Sequence, residues 1–437
     1  METLERLKAG QLIGQKRLNL ACELDKFPME IIELADSLEV LELSNNCFTE
    51  LPEAFGKLKK LKVAFFNNNN FETFPAVLAQ CPALSMISFK GNQIRGISDE
   101  ALSSAIRWLI LTNNKLESLP ASIGKLKQLQ KLMLAGNRLQ SLPNELANCQ
   151  NLELIRLSAN QLETLPPWLF SLPRLSWLAY SGNPCYEANL FGSSELLTIK
   201  ESDLEINETL GQGASGIIYK GVWTKPGAEQ PIAVAIKLFK GAITSDGSPL
   251  DEMQACIAAG SHPNLVSVLG KLTSADGRAG LVFSFVDCEY QNLGGPPSLE
   301  TCTRDTYSAE TTFPLSNILQ ISRGIAAAIA HLHHKGIMHG DLYAHNILVN
   351  QTGQSLLGDF GAASFYNPND STIAAALERL ESRAFGCLLE DLLDRCVEAE
   401  DKQPTLVSLR ALQQACMDSN LANRPSLKAV CKVLENL

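Results

Sequence analysis

A motif recurs about every 23 residues through the first 186 residues of this chain. One copy runs from Leu38 to Pro52 as Leu-x-x-Leu-x-Leu-x-x-Asn-x-Phe-x-x-Leu-Pro, and a shorter version from Leu18 to Pro28 precedes it. Later copies begin at Leu61, Leu84, Ile106, Leu129, Leu152 and Leu175. Each copy is too small to bury its own leucines, so the repeat predicts a solenoid in which neighbouring units stack their apolar residues.

An asparagine occupies the same place in seven copies, directly after the predicted short strand. These residues are Asn46, Asn69, Asn92, Asn114, Asn137, Asn160 and Asn183. A side-chain amide there can pair with backbone groups that a buried turn would leave without partners, so we predict a structural role. The pattern resembles leucine-rich repeats. The resemblance implies an α/β leucine-rich-repeat solenoid over residues 1–186.

Two columns of residues flank the core leucines of each predicted strand, and the alternation of a strand points them away from the core. Many of them are large and apolar: Val63, Phe65, Met86, Trp108, Ile110, Met133, Leu154 and Trp177. Exposed apolar patches usually mark contact surfaces, and Trp, Met and Phe are typical anchors. We predict that this concave face binds a protein, either a partner or the chain's own second domain. The alternative is that neighbouring side chains cover these residues.

The second half of the chain is organised around residues 339–361. Asp341 and Asn346 stand five residues apart, and Asp359-Phe360-Gly361 follows a predicted strand. An aspartate can accept the proton of an attacking hydroxyl, while an amide and a second carboxylate hold Mg²⁺ on phosphates. A lone Asp-Phe-Gly occurs by chance, but the whole spacing resembles the catalytic and metal loops of eukaryotic-type protein kinases.

Two motifs upstream suit the binding of phosphates. Gly211, Gly213 and Gly216 lie between two predicted strands, where a backbone without Cβ atoms can approach a phosphate. Such a motif alone also fits a dinucleotide site, but its place between strands favours a kinase lid. Lys237 follows in Val-Ala-Ile-Lys and needs a carboxylate partner. We predict Glu252 for this partner, with the adjacent Asp251 as the alternative.

The motifs appear in kinase order over residues 203–437, and the phrase Ile218–Trp223 is similar to the tyrosine-kinase-like branch of serine/threonine kinases. The chain as a whole resembles a soluble, non-receptor leucine-rich-repeat protein kinase with a divergent activation segment. The resemblance implies a two-lobed α+β kinase-like domain. Its N-lobe would span about residues 203–286 and its C-lobe about 287–437, with a cap and linker at 187–202.

The resemblance also implies roles for individual residues. Asp341 would be the catalytic base, Lys237 would position the phosphates, and Asn346 and Asp359 would be the Mg²⁺ ligands. ATP would be bound by Leu210, Gly211, Gly213, Gly216, Ile218, Ala235, Lys237, Glu252, Ser284, Val286 and Leu348.

Several residues depart from the family pattern. Gly340 replaces the arginine that a phosphorylated activation loop holds in many kinases, so we expect no control by loop phosphorylation. Tyr343 replaces a lysine near the transferred phosphate. His345 is a candidate to reach that phosphate instead, and a structural hydrogen bond is the alternative. Glu381 stands in the place of an aspartate in the large central helix, and the segment after Gly361 is short.

Composition and charge indicate which classes of partner and which cellular compartment to expect. A net charge of −10 argues against nucleic acid as a partner. The 12 cysteines are scattered, as in reducing compartments. No apolar run reaches the ~20 residues that cross a bilayer, and the N-terminus lacks a signal-peptide pattern. We therefore expect a cytoplasmic protein without nucleic-acid or membrane partners. The predicted function is an ATP-dependent protein kinase, most simply for serine or threonine, and the alternative is a catalytically silent pseudokinase scaffold.

Overall fold

The computed structural model describes residues 2–185, 197–213, 215–225, 227, 230–240, 243–274, 277–398 and 404–437. Most of the predicted linker (187–196) and Ala214 of the glycine-rich loop lie outside these ranges. The chain divides into two compact units. The first comprises Met1–Arg174 with Asn183–Cys185, and the second comprises Leu175–Gly182 with Tyr186–Leu437.

The first unit is a stack of three-residue parallel strands that follows a short helix, α1 (Glu2–Lys8). The strands are β1 (Arg17–Asn19), β2 (Val40–Glu42), β3 (Val63–Phe65), β4 (Met86–Ser88), β5 (Trp108–Ile110), β6 (Lys131–Met133) and β7 (Leu154–Arg156). Equivalent residues of successive repeats lie in register, so Leu41, Ala64 and Ile87 form one buried row. Short 3₁₀ helices such as Glu53–Lys57 return the chain. The predicted solenoid of stacked strands is confirmed.

The asparagine column forms a ladder of buried hydrogen bonds between repeats. The Asn69 amide nitrogen donates to Leu43 O at 3.0 Å and to Phe66 O at 3.1 Å, while its Oδ1 accepts from Phe48 N at 3.0 Å. Asn137 makes the equivalent bonds in its own repeat. Each amide therefore satisfies backbone groups of two repeats at once, which is the predicted structural role.

The two columns of residues that flank the core leucines are less exposed than the alternation of side chains along a strand predicts. Val63, Met86, Met133 and Leu154 are buried, whereas Phe65, Trp108 and Ile110 are half-buried. One cause is the register, because large side chains of successive strands stand directly beside one another. Another is the Lys131 ammonium, which lies 4.2 Å from the centre of the Trp108 ring.

Trp177 packs against a residue of the predicted kinase domain, which is one of the two outcomes predicted for this face, and it corrects the prediction of an outside partner at this position. It lies in β8 (Trp177–Ala179), which groups with the second unit, and its side chain is buried against Tyr343. It is therefore not an anchor for an outside partner in this conformation.

The second unit contains a five-stranded antiparallel sheet and one adjacent helix. Its strands are β9 (Leu204–Gln212), β10 (Gly216–Trp223), β11 (Ile232–Phe239), β12 (Val268–Thr273) and β13 (Ala279–Ser284), in the order β12-β13-β11-β10-β9. Helix α2 (Pro249–Ala259) follows β11 and begins at Ser248, whose side chain accepts from Leu250 N. One face of the sheet buries Trp223, Val234, Ile236 and Val282 in an apolar cluster.

The rest of the second unit is mainly helical. Its helices are α3 (Leu315–His334), α4 (Ser371–Leu393), α5 (Pro404–Cys416) and α6 (Leu427–Glu435). Its short strands are β14 (Gln291–Asn292), β15 (Ile337–Met338), β16 (Ile347–Val349), β17 (Ser355–Leu357) and β18 (Ser364–Phe365). The predicted helix over 315–335 is confirmed to within one residue. In the ranges that the structure describes, no helix has the length and apolar character that crossing a membrane requires.

The short strands position the candidate site. Strands β15 and β16 bracket residues 339–346, while β17 and β18 bracket residues 358–363. Strand β15 pairs with β18, and β16 pairs with β17. The two loops that contain Asp341 and Asp359 are therefore anchored to each other at both ends.

The residue before each asparagine of the column adopts a left-handed backbone conformation. It is Asn45, Asn68, Gly91, Asn113, Gly136 or Gly182, with φ between 52° and 72°. Ala159 occupies this place in one repeat, with φ of 53°. Glycine and asparagine tolerate this region, but the Cβ of alanine is crowded there.

We predict that Ala159→Gly stabilises the repeats. Relief of the left-handed strain outweighs the added entropy of the unfolded chain, leaving a gain of roughly 0.5–1 kcal/mol. Thermal unfolding measures the change. The matched converse is Gly136→Ala at the same place in the preceding repeat, which should lower the melting temperature. A lower melting temperature for Ala159→Gly would contradict this account.

Candidate functional site

The register of the sheet aligns the residues of the predicted nucleotide cleft. Ile218 in β10 lies opposite Gly211 in β9 and opposite Lys237 in β11. Ala235, two residues before Lys237, has the same facing direction. This row lies on the face opposite to the apolar cluster, so the sheet presents it away from its own core.

Lys237 and Glu252 form an ion pair between β11 and α2. Their side chains are 12% and 3% exposed, so solvent screens the pair little. Burial works to lower the pKa of Lys237, but the carboxylates of Glu252 and Asp359 offset it and the pKa is raised. Glu252, rather than the alternative Asp251, is the partner in the structure.

Glu252 is held in an acidic neighbourhood. Burial raises its pKa, the ammonium of Lys237 lowers it, and the nearby charge of Asp359 raises it again, for a net increase. The same Asp359 charge acts on Lys237, so these three groups occupy one electrostatic site.

The three glycines of the lid have different reasons for lacking a side chain. A Cβ at Gly211 or Gly213 would meet no atom within 4 Å, so these positions leave open space. A Cβ at Gly216 would lie 2.5 Å from Leu238 O, so this glycine permits close pairing of β10 with β11. Only the first two leave room for a phosphate.

The loop after β15 holds Asp341 in a defined orientation. The Asn346 side-chain nitrogen donates to Asp341 Oδ2 at 2.9 Å and to Asp341 O at 3.0 Å. The Asp341 amide donates to His339 Nδ1 at 3.3 Å. Asn346 thus closes the loop and fixes the Asp341 carboxylate, while its own amide oxygen can face a cation.

His339 links this loop to the one that contains Asp359. Its Nε2 donates to Gly358 O at 2.9 Å, and its ring contacts Phe360 with centroids 5.2 Å apart. Asp359 itself has φ of 51°, and its Oδ1 accepts from Gly361 N at 3.1 Å. A non-glycine residue in this backbone region is uncommon and is typical of functional sites.

A buried carboxylate binds the backbone of the two residues that precede Asp341. Glu381 in α4 accepts from Gly340 N at 2.7 Å, from His339 N at 3.2 Å and from His333 Nε2 at 2.8 Å. Burial raises the pKa of Glu381, but the hydrogen bond and charge of His333 and the other donors lower it below the ordinary value. Glu381 therefore remains an anion that orients the backbone before Asp341.

The apolar residues predicted to bind ATP differ in their exposure. Ile218, Ala235 and Leu348 are half-buried, and Leu210 is exposed. Ser284 and Val286 lie at and just beyond the end of β13 and are half-buried. They line a cavity with His262 and Leu356 that includes none of the glycine-loop residues, Ala235 or Lys237.

Comparison with known families finds a match in each half of the chain. Residues 204–383 match the family described as protein tyrosine and serine/threonine kinase. Leucine-rich repeats match residues 82–139, 104–162 and 127–184, and a single repeat matches residues 37–58. The chain carries leucine-rich repeats followed by a protein kinase domain. The family predicted from the motifs is confirmed.

Relatives of the kinase domain include both tyrosine and serine/threonine kinases. The epidermal growth factor receptor of Apis mellifera is 30% identical over 192 residues, covering 42% of this chain and 13% of the receptor. A probable serine/threonine-protein kinase of Dictyostelium discoideum is 27% identical over 179 residues, covering 41% and 10%. Tyrosine-protein kinase ABL2 of Mus musculus is 24% identical over 301 residues, covering 60% and 24%. The chain spans a quarter or less of the length of each.

The donor set of the kinase domain fits a divalent cation. The family uses ATP with a divalent metal. The Asn346 amide oxygen and the Asp359 carboxylate are hard oxygen donors of the kind that such cations prefer. Within the described parts of the chain, no group of three His, Cys, Asp or Glu residues gathers as a metal cage. A cation of this kind ordinarily takes its remaining ligands from water and substrate phosphates.

Asp305 is a functional-site residue that the sequence did not reveal. Its Oδ2 accepts from Ala344 N at 2.6 Å, and its Oδ1 lies 2.6 Å from His345 Nδ1. Burial works to lower the pKa of His345, but Asp305, Asp341 and Asp359 raise it overall. Asp305 lies in a segment without periodicity, so no local pattern indicated it.

Close packing within the kinase domain explains why position 340 is a glycine. Its φ is 73°, and a Cβ there would lie 2.5 Å from Leu178 O and 2.6 Å from Ala362 O. Any other residue would have to displace the backbone of two segments. The glycine therefore serves close packing, in addition to removing the arginine through which loop phosphorylation acts in many kinases.

We predict that Glu381→Gln destabilises the kinase domain by about 2 kcal/mol at pH 7, because an amide loses a charge-assisted set of buried hydrogen bonds. The pKa of Glu381 is depressed in the folded state, so its contribution exists above about 4.5 and is lost as the pH falls through the folded value. The gap between wild type and variant should therefore shrink in acid. Urea unfolding at pH 7 and in acid measures both. Glu378→Gln, one turn earlier in α4, is the control and should cost less.

Proposed function

We propose that this chain is an active protein kinase that transfers the γ-phosphate of MgATP to a protein hydroxyl, with serine or threonine as the acceptor. The observation that carries the proposal is the joint arrangement of Lys237, Asp341 and Asp359. The Lys237–Glu252 pair is formed, and His339 connects the loops that contain the two aspartates. Side chains that act in phosphoryl transfer therefore stand in one preorganised cluster.

Each residue has a role in the proposed reaction. Asp341, oriented by Asn346, accepts the proton of the acceptor hydroxyl as its oxygen bonds to the γ-phosphorus. The bond from that phosphorus to the bridging oxygen breaks, and ADP is the leaving group. Lys237, held by Glu252, places its ammonium beside the non-reacting phosphates. Asn346 and Asp359 would hold Mg²⁺. When bound, Mg²⁺ supplies positive charge that offsets the charge developing on the phosphate oxygens.

The acceptor class rests on resemblance. The phrase Ile218–Trp223 is similar to the tyrosine-kinase-like branch of serine/threonine kinases, and relatives named as probable serine/threonine kinases occur in Dictyostelium discoideum. Relatives named as tyrosine kinases match as well. Phosphoamino-acid analysis of the product distinguishes the two.

A catalytically silent scaffold is the second candidate. The observation that favours it is the short connection after the Asp-Phe-Gly turn, because only nine residues, 362–370, separate Gly361 from α4. A connection of this length leaves little chain for a surface on which a peptide can lie. In that case the repeats would bind a protein and the kinase domain would bind nucleotide without transfer.

We predict that Lys237→Met and Asp341→Asn each abolish incorporation of labelled phosphate from MgATP, with losses of at least about a hundredfold. Lys271→Met, which removes a lysine from strand β12 of the same sheet, is the matched control and should retain activity. Wild-type protein that binds nucleotide but transfers no phosphate would replace this proposal with the silent scaffold.

We also propose that the repeats recruit the protein substrate through the half-buried residues Phe65, Trp108 and Ile110. Trp108→Asp should lower phosphorylation of proteins in an extract of the source cells, because it introduces a charge into the apolar contact. Phosphorylation of a generic substrate protein should stay unchanged. Equal phosphorylation of extract proteins by variant and wild type would argue against recruitment by this face.

A further inference from the structure

The segment Leu175–Gly182 contains the last repeat strand in the sequence but belongs to the same compact unit as the kinase domain. The Trp177 ring stacks on Tyr343 with centroids 4.5 Å apart and planes 8° from parallel. Its Nε1 donates to Leu342 O at 3.0 Å. Trp177 therefore contacts the two residues that directly follow Asp341.

The stack continues through the catalytic loop to a buried charge. The rings of Tyr343 and His345 have centroids 5.1 Å apart. His345 is in turn held by Asp305, which also binds the Ala344 amide. We call Trp177, Tyr343, His345 and Asp305 the aromatic column. Residues 342–345 are therefore held at two points. Trp177 contacts Leu342 and Tyr343, and Asp305 binds Ala344 and His345.

The same segment also contacts β18, the strand that follows the loop containing Asp359. The Tyr180 hydroxyl donates to Phe365 O at 2.9 Å, and the Tyr180 amide donates to Ser364 Oγ at 3.0 Å. Leu178 O fills the space that a side chain at position 340 would need. One short segment therefore contacts the loop that contains Asp341 and the strand β18 that ends the loop containing Asp359.

We propose that Trp177 and Tyr180 are positioning residues for phosphoryl transfer, with Trp177 acting through the aromatic column and Tyr180 through the backbone of Phe365. The inference rests on the proposed kinase activity and adds residues outside the kinase motifs to its machinery. Small displacements of a catalytic group lower transfer rates strongly without equal loss of nucleotide binding.

The test uses the full chain and three variants. Trp177→Ala removes the stack and the hydrogen bond, Trp177→Phe keeps an aromatic ring, and Trp168→Ala removes a half-buried tryptophan of the first unit as the matched control. We expect Trp177→Ala to lower kcat at least about tenfold while KM for ATP stays within about twofold. Trp177→Phe should recover most of this loss, and Trp168→Ala should match wild type.

A second measurement is independent of activity. Hydrogen exchange of the amides of residues 342–347 should be faster in Trp177→Ala and unchanged in Trp168→Ala. Unchanged exchange in Trp177→Ala overturns the proposal. An increase in kcat also overturns it, because the segment would then be an inhibitory cover. A wild-type chain that transfers no phosphate refutes the kinase activity, and the exchange measurement still decides whether Trp177 holds the loop.

Discussion

The arrangement of the kinase site depends on one buried anion. Glu381 lies in the interior of α4 and accepts N–H groups from α3 and from the two residues before Asp341. A buried carboxylate without donors would be very costly, so the fold gains from it only when all three donors are in place. This requirement fixes the loop that contains Asp341 against two helices. The orientation of Asp341 follows from it through the His339 and Asn346 hydrogen bonds.

Other charged groups repeat this design at the edges of the site. Lys237 and Glu252 connect the sheet to α2, and Asp305 connects an irregular segment to residues 344 and 345. Arg304 beside it pairs with Glu390 and Asp391 of α4 at 2.6 Å. Irregular segments lack the regular backbone hydrogen bonds of helices and strands. Here, partly buried ion pairs connect these segments to their neighbours instead. The result is a polar site whose geometry is set before it binds anything.

Local patterns were sufficient for much of this architecture. The asparagine column, the apolar stripe of α3 and the choice of Glu252 over Asp251 all depend on neighbours at fixed spacing, which a sequence displays directly. The different environments of Trp108 and Trp177 were not predicted, because they depend on residues distant in the chain. Trp108 and Trp177 occupy the same column of the repeat, yet the first is half-buried among repeats and the second is stacked on Tyr343. Nothing in their surroundings in the sequence distinguishes them.

The division of the chain by motif therefore differs from its division by packing. Motifs place the kinase domain from residue 203, whereas the compact unit includes Leu175–Gly182. A fragment cut at residue 203 would keep the groups proposed to act in phosphoryl transfer and lose the contacts of Trp177 and Tyr180. Gly340 shows that these contacts are built into the catalytic loop itself, because its missing side chain leaves the space that Leu178 O occupies. A loop adapted to an outside segment in this way is incomplete without it, so the last repeat is better treated as part of the kinase domain than as the end of a separate binding module.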